Sequence, residues 1–133
     1  MKHRSLCPIS LALDLIGDKW SLLLIRDAVF CGARYFKDFK AAKENISTNI
    51  LADRLKCLEE NGFLKKEKDP SNAKQFIYTP TELAVKLVPT LIELVVFSSE
   101  YFAKEIPDDV IQLLKMDRTA IVSTFTNIKQ NTS

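Results

Sequence analysis

The sequence predicts a mainly α-helical fold that carries one small β-hairpin, and three observations support this class. Apolar residues recur with helical spacing along most of the chain, and one short stretch alternates with the period of a strand. Three glycines and five prolines in 133 residues are too few for a many-turned all-β fold. Apolar residues make up 47% and charged residues 27%, the ordinary balance of a single globular domain.

Few side chains in this sequence could perform catalysis or hold a metal. His3 is the only histidine and lies near the N-terminus, and the three cysteines, Cys7, Cys31 and Cys57, are far apart. No CxxC or HxxxH spacing suits zinc, and His3 is a poor partner for a catalytic thiol or hydroxyl. The glycines are isolated, so a glycine-rich phosphate loop is absent. We therefore predict no enzyme activity, no metal and no cofactor.

The same composition indicates a compartment. An odd number of widely spaced cysteines is no disulfide framework and fits a reducing environment. No run of consecutive apolar residues exceeds four, far fewer than the roughly 18 that span a bilayer. No secretory leader with a cleavage site is visible. We expect a cytoplasmic protein without membrane contact.

Two helices are predicted at the start of the chain. Pro8 suits the first turn of a helix, and residues 9–16 are apolar on nearly every side, so this helix must be covered on more than one face. Gly17 ends the helix, and the Asp18 carboxylate can cap the next one. That second helix presents a broad apolar face and ends at Cys31.

A helix-turn-helix is predicted next. A short helix spans about 35–42, and the polar turn 43–45 leads directly into a fourth helix. Ser47 is a good N-cap for that helix, while Ile46 and Leu51 have the spacing of a hydrophobic staple. A turn this short forces the two helices to cross steeply.

A β-hairpin and a long helical segment follow. Strands from 63 to 68 and from 74 or 75 to 79 flank residues 69–73, whose Asp-Pro-Ser-Asn-Ala sequence is typical of a turn. Thr81 opens a helical stretch that continues to about residue 103, and Pro89 should kink or break it.

Four helices, a hairpin and a further helix in this order form a winged helix-turn-helix. Residues 94–97 are apolar in every direction, so they must be covered both by their own domain and by something else. We expect a winged helix-turn-helix domain over 1–103, with dimerisation helices near both of its ends. A helical extension over 104–133, with amphipathic segments within 110–128, is expected to pack on the same domain or dimer.

The fourth helix has a polar outer face. Asn49, Asp53 and Lys56 point away from its leucine stripe. Thr48 and Asn49 follow Ser47 at its N-terminal end, where a recognition helix meets base edges and free amides suit a phosphate. Capping alone explains Ser47, and a solvated surface is the alternative for Thr48 and Asn49.

Charge is distributed unevenly although the formal net charge is only +2. Residues 34–78 contain ten basic and seven acidic side chains, whereas residues 79–133 contain five and seven. The basic excess therefore lies on the helix-turn-helix and hairpin, which favours a nucleic-acid partner. Lysines on a hairpin can also serve solubility alone.

Several motifs in order resemble the HxlR-type winged-helix transcriptional regulators of bacteria and archaea. They are Cys7-Pro8, LIGDKW at 15–20, GARYFKDFK at 32–40, ISTNILADRLKCLEENGFLKK at 46–66 and YTPTELAVKL at 78–87. The resemblance covers residues 7 to about 91. It implies a homodimer that binds a near-palindromic operator in double-stranded DNA.

The resemblance also implies which residues face the DNA. Recognition-helix residues would lie in the major groove, wing residues would contact the minor groove or the backbone, and the remaining basic residues would lie near phosphates or support the motif. The set is Arg34, Lys37, Ser47, Thr48, Asn49, Asp53, Arg54, Lys56, Lys65, Lys66, Lys74 and Gln75. Family members often have a basic residue at the position of Asn49 and an amide at that of Asp53. The wing tip also lacks the usual proline-rich sequence.

The first helix and the long helix after the wing usually form the dimer interface in this family. This agrees with the apolar character of residues 9–16 and 94–97, which are the two segments that need cover on more than one side. The residues predicted to meet the second copy are Ile9, Leu13, Leu94, Val95, Phe97 and Tyr101. The alternative is that both segments fill the core of a single chain.

Cys7 is the candidate sensor. Members of this family often detect oxidants or electrophiles through a cysteine at this position, which implies a thiol-reactive inducer. A thiol beside a helix N-terminus has a lowered pKa, and Lys2, His3 and Arg4 would act in the same direction. The alternative is a buried structural cysteine.

Three other functions stay open for this sequence. One is a regulator that responds to a non-covalent small ligand, and another is a winged helix that binds protein without binding DNA. A thiol enzyme that uses Cys7 is the third, and it lacks a credible partner base.

Overall fold

The structure, a computed structural model, describes residues 2–109, and the helices expected within 110–128 lie outside this part of the chain. Its fold is a winged helix-turn-helix, so the predicted class, mainly helical with a hairpin wing, is confirmed. The helix-turn-helix consists of α3 (Phe36–Lys40) and α4 (Thr48–Glu60). The strands β1 (Leu64–Asp69) and β2 (Asn72–Pro80) pair antiparallel as the wing. In chain order the elements are α1 (Pro8–Ile16), α2 (Ser21–Phe30), α3 (Phe36–Lys40), α4 (Thr48–Glu60), β1 (Leu64–Asp69), β2 (Asn72–Pro80), α5 (Glu82–Val85) and α6 (Val88–Tyr101).

The core lies between α2, α3, α4 and the base of the wing. Leu24 of α2, Phe39 of α3 and Leu51 and Leu55 of α4 are at most 2% exposed. The Phe39 ring meets the ring of Tyr78 in β2 edge to face, with centroids 6.2 Å apart. Burial of one such side chain contributes about 1.5–3 kcal/mol of transfer free energy. This cluster fixes the position of α4 relative to the wing.

Local capping signals position α2 and α4 as predicted. Asp18 Oδ2 accepts hydrogen bonds from the backbone N–H groups of Trp20 and Ser21, at 3.0 and 2.9 Å. Ser47 Oγ accepts from the N–H of Ile50 at 3.3 Å. Both caps satisfy amide groups that have no partner within their own helix.

The connection between α3 and α4 contains one residue in the left-handed region. Asn45 has φ of 59°, and its N–H donates to the carbonyl of Ala42 at 3.1 Å. Asparagine adopts this conformation more readily than most residues with a side chain. Helix α3 ends at Lys40, earlier than predicted, and the next core residue, Ile46, is 2% exposed.

The wing is longer than predicted because its turn is shorter. Only Pro70 and Ser71 lie between the strands, whereas the sequence suggested a turn over 69–73. The Asp69 carboxylate accepts from the N–H of Ser71 at 2.9 Å, and Asp69 pairs with Asn72 after an irregularity in the register. An aspartate that bonds the backbone two residues ahead stabilises a tight turn. Strand pairing therefore extends to the tip.

The helical stretch after the wing is interrupted near Pro89, as predicted, but the break falls before the proline. Helix α5 ends at Val85 and α6 begins at Val88, so Pro89 lies in the first turn of α6. Proline has no N–H to donate to the carbonyl four residues earlier, and its φ suits a helix start. No helix within residues 2–109 is long and apolar enough to cross a membrane.

Candidate nucleic-acid interface

The N-terminal end of α4 presents polar side chains to solvent. Thr48 and Asn49 are exposed there, and Asp53 and Lys56 are exposed further along the same helix. The oxygen of Ser47 is already engaged by the amide of Ile50. Thr48 and Asn49 are therefore the side chains best placed to meet another molecule at this end of α4.

Arg54 joins the recognition helix to the start of α2. Its Nε lies 3.0 Å from Asp53 Oδ2, its Nη1 lies 3.5 Å from Asp18 Oδ1, and its Nη2 lies 3.3 Å from the Cys57 sulfur. The hydrogen bond that Arg54 donates to Asp53 raises the pKa of Arg54. Of the two roles considered for Arg54, this geometry favours support of the motif over phosphate contact.

Arg34 also makes internal contacts. Its Nη1 donates to the carbonyl oxygens of Ala28 and Ala33, both at 2.8 Å, and the side chain is half-buried. Burial lowers the pKa of this guanidinium. Arg34 thus ties the end of α2 to the start of the helix-turn-helix, again the supporting role.

The lysines differ in how much they are engaged. Lys65 Nζ lies 2.8 Å from Glu67, and Lys66 Nζ lies 4.3 Å from the centre of the Phe76 ring. Lys37, Lys56 and Lys74 are exposed, and the ammonium of Lys37 lies 5.6 Å from the centre of the Tyr35 ring. The available positive charge of the interface is therefore carried by lysines on α3, α4 and the wing.

A hydrogen-bonded cluster at the wing tip was not predicted. The Asp69 carboxylate is the acceptor for the side chains of Tyr35, at 3.1 Å, and Gln75, at 2.9 Å. Gln75, expected to contact DNA, thus donates within the wing. The Asp-Pro-Ser turn is the local signal for Asp69, whereas nothing local indicates that Tyr35, 34 residues away, is its partner.

Cys7 is exposed and immediately precedes α1. Hydrogen bonds from the backbone N–H groups of Ser10 and Ile9 lower its pKa, the expected effect of a helix N-terminus. The alternative of a buried structural cysteine is wrong. His3 and Arg4, which were expected to act in the same direction, pair with Asp14 at 3.3 and 3.2 Å.

The other two thiols differ from Cys7. Cys31 is also exposed at the surface, but partial burial of its thiol, together with the nearby charge of Asp27, raises its pKa. Cys57 is half-buried beside the guanidinium of Arg54. Within residues 2–109, no group of three histidine, cysteine or acidic side chains could hold a metal ion.

Most of α1 and the outer face of α6 are uncovered within the described chain, whereas Val88, Leu91 and Ile92 on α6 are buried. On α1 only Ile16 is buried, and both predicted contact residues of that helix are exposed. On α6 the rings of Phe97 and Tyr101 stack in solvent with centroids 6.3 Å apart. Within residues 2–109 these side chains are therefore not part of the core. The exposed fractions are Ile9 72%, Leu13 51%, Leu94 46%, Val95 37%, Phe97 63% and Tyr101 75%.

A hairpin wing beside a helix-turn-helix with a polar, exposed recognition helix defines a DNA-binding regulator of the winged-helix class. The chain belongs to the HxlR-like helix-turn-helix family, whose sequence profile matches residues 15–106.

Two curated relatives come from Bacillus subtilis and are HTH-type transcriptional regulators rather than enzymes. The chain is 28% identical to YvaP over 102 residues, which cover 76% of this chain and 94% of YvaP. It is 30% identical to YodB over 98 residues, which cover 73% of this chain and 87% of YodB.

Solved structures agree with this assignment. PA1607 aligns with a TM-score of 0.67 and 34% identity, over 74% of this chain and 68% of that one. The reduced form of YodB aligns with a TM-score of 0.59 and 28% identity, over 73% and 95%.

Proposed function

We propose that this chain is a dimeric, sequence-specific transcriptional regulator that reads a near-palindromic operator. The observation that carries the proposal is the exposed polar end of α4, with Thr48 and Asn49, beside a wing that bears exposed lysines. In a symmetric dimer two such helices would enter adjacent major grooves, about 34 Å apart if the half-sites lie one turn apart.

The proposed contacts divide by chemistry. Thr48 and Asn49 reach base edges, because hydroxyl and amide groups can read the major groove. Asp53 can accept from cytosine, since its pairing with Arg54 offsets its repulsion of phosphates. The exposed lysines supply most of the affinity through the backbone, in a manner that falls steeply with salt. Those lysines are Lys37, Lys56, Lys65, Lys66 and Lys74.

The proposed dimer uses the uncovered faces of α1 and α6. Six large apolar side chains on these two helices are more than a third exposed, far more than scattered surface residues require. A groove of about 330 Å³ between α2 and α6, partly lined by Leu94 and Val95, continues the same apolar surface. A second copy would cover both helices.

We propose that Cys7 senses the inducer. Its exposure and lowered pKa favour the reactive thiolate. The thiolate can attack a carbon electrophile, forming a carbon–sulfur bond while the adduct takes up a proton. Alternatively, peroxide oxidises it to a sulfenic acid, and a second Cys7 thiol then forms a disulfide and releases water. The relative YodB has a solved structure of its reduced form, which supports the proposal that this chain senses through a thiol.

The test is a titration of the full chain against a DNA library, followed by binding to the selected duplex with reduced and with oxidised protein. Cys7→Ser is the sensing variant, and Cys31→Ser is its matched control. The proposal is supported if oxidation changes binding to the selected duplex and if Cys7→Ser makes that binding insensitive to oxidation. Specific binding indifferent to oxidation would instead favour a non-covalent ligand. If no sequence is enriched and all duplexes bind equally weakly, a protein-binding winged helix becomes the better account.

A further inference from the structure

The wing tip is held by a single buried carboxylate. Asp69 is 5% exposed, although its neighbours Lys68 and Pro70 at the tip of the hairpin are exposed. Its Oδ1 accepts from the N–H and the hydroxyl of Ser71, at 2.9 and 2.8 Å. Its Oδ2 accepts from the amide of Gln75 and the hydroxyl of Tyr35, at 2.9 and 3.1 Å. Both carboxylate oxygens are therefore fully engaged.

One of these bonds leaves the wing. Tyr35 is the residue that precedes α3, and its backbone N–H donates to Asp38 at 3.0 Å to begin that helix. A second bond joins the same region to the base of the wing, where the N–H of Tyr78 donates to the carbonyl of Arg34 at 2.7 Å. The hairpin is thus attached to the start of α3 at two points, of which the bond between Tyr35 and Asp69 is the outer one.

We propose that Asp69 is a positioning residue for DNA binding, which holds the wing tip against Tyr35 so that the exposed wing lysines meet the DNA backbone. This inference rests on the proposed function. Asp69 touches no DNA in this account and acts through the orientation of residues such as Lys74, which lies on β2 next to Gln75. A two-stranded hairpin has little stability of its own, so an external attachment determines its angle.

Removal of Asp69 should change the affinity for DNA in the direction opposite to that expected from electrostatics alone. A carboxylate on a DNA-binding hairpin repels phosphates, so its removal alone should tighten binding. If Asp69 positions the wing, its removal weakens binding, because the lysines lose their place. Tyr35→Phe breaks the same attachment without a change in charge, and it therefore separates the two effects.

The experiment measures the affinity of the full chain for its selected duplex, by fluorescence anisotropy over a series of salt concentrations. The variants are Asp69→Ala, Tyr35→Phe and the double variant. Glu67→Gln is the control for electrostatics alone, because it removes an exposed carboxylate from the same hairpin and releases Lys65 without touching the attachment to Tyr35. Urea unfolding of each variant establishes that the domain is folded.

We expect Tyr35→Phe and Asp69→Ala each to bind about fivefold more weakly, the factor that corresponds to one ordinary hydrogen bond. The double variant should be no weaker than Asp69→Ala, because both substitutions break one attachment. The slope of log affinity against log salt should become shallower by about one, as one phosphate contact is lost. A merely structural role would lower stability and leave this slope unchanged.

Two outcomes would overturn the inference, and they are distinguishable. If Asp69→Ala binds as tightly as Glu67→Gln with the wild-type salt slope, Asp69 does not position the wing, and the proposed function stands. If the folded wild-type chain selects no duplex, the proposed function fails, and the inference fails with it.

Discussion

Arg26 binds both carboxylate oxygens of Glu44, with Nη1 and Nη2 each 2.9 Å from its acceptor. The pair joins α2 to the connection between α3 and α4, so it stabilises the position of the helix-turn-helix against α2. The hydrogen bonds from Arg26 lower the pKa of Glu44 to about 2, from a usual value of 4.5. Bidentate geometry of this kind is the strongest form of an arginine–carboxylate contact.

Glu44→Gln should destabilise the domain at neutral pH by about 1 kcal/mol or less, because the pair is partly exposed. A carboxyl whose folded pKa is depressed stabilises the fold above its unfolded pKa and loses that contribution as the pH falls. The difference between wild type and variant should therefore shrink between pH 4.5 and pH 2. Urea unfolding at several pH values measures it, and an equal difference at pH 7 and pH 2 would contradict the assignment.

Asp27 should show the opposite pH dependence. Its Oδ2 is buried and has no hydrogen-bond partner among residues 2–109, and burial raises its pKa. Ionisation of this carboxyl above its unfolded pKa therefore disfavours the folded state. Asp27→Asn should gain stability relative to the wild type as the pH rises from about 4 to 7. Asp38→Asn is the control of opposite sign, because the N–H groups of Arg34 and Tyr35 lower the pKa of Asp38.

Dimer formation should depend on the uncovered apolar faces. Phe97→Glu places a charge in the proposed interface, and burial of an unpaired charge is costly enough to dissociate two copies. Light scattering after size exclusion should report a change from twice the chain mass to the chain mass. Leu83→Glu is the matched control, since Leu83 is 42% exposed on α5 and lies outside the proposed interface. A wild-type monomer at high concentration would refute the interface.

Cys7 and Cys31 should react with an alkylating reagent at different rates. Cys7 should be alkylated by iodoacetamide fastest at neutral pH, because helix amides lower its pKa and leave more thiolate. Cys31 should react slowly, because burial raises its pKa. Peptide mass spectrometry of timed samples measures both rates in one protein. Equal labelling of Cys7 and Cys31 at pH 7 would remove the chemical basis for a sensor.

Substitution of Asn49 should mainly lower the specificity of DNA binding, whereas substitution of Lys56 should mainly lower its affinity. Asn49→Ala should reduce the preference for the selected duplex over a scrambled one by about 1–3 kcal/mol, since an asparagine can read adenine in the major groove. Lys56→Gln should weaken binding to both duplexes alike and reduce the salt slope by about one. Competition titrations distinguish the two patterns. A uniform loss in Asn49→Ala would place that residue on the backbone instead of the bases.

The features that could be predicted from the sequence are those determined by residues close together in the chain. The caps at Asp18 and Ser47 and the break near Pro89 each depend on chemistry within about four residues, so their patterns are visible in the sequence. The apolar excess of α1 and α6 was visible for a different reason, because a helix that is apolar on nearly every side must be covered on more than one face.

Contacts between side chains that are far apart in the sequence could not be predicted in this way. The sequence left open whether Arg34 and Arg54 lie near phosphates or support the motif, and only the structure shows the carbonyls and carboxylates inside the domain that engage them. The length of the wing was underestimated because Asp69 closes the turn with its own side chain. Tyr35 was missed altogether, since its partner lies 34 residues away. Such pairings depend on tertiary distances that composition and periodicity do not contain.

All four arginines of the described chain, at positions 4, 26, 34 and 54, bond to acceptors of this same protein. The cations left facing outward are lysines, whose ammonium groups attract a phosphate equally well from many angles. Attraction of that kind holds a protein close to a duplex without fixing where along it the protein stands, which permits sliding. For the regulator proposed above, the exposed lysines would therefore favour sliding along DNA, and the polar end of α4 would select the site where the protein stops.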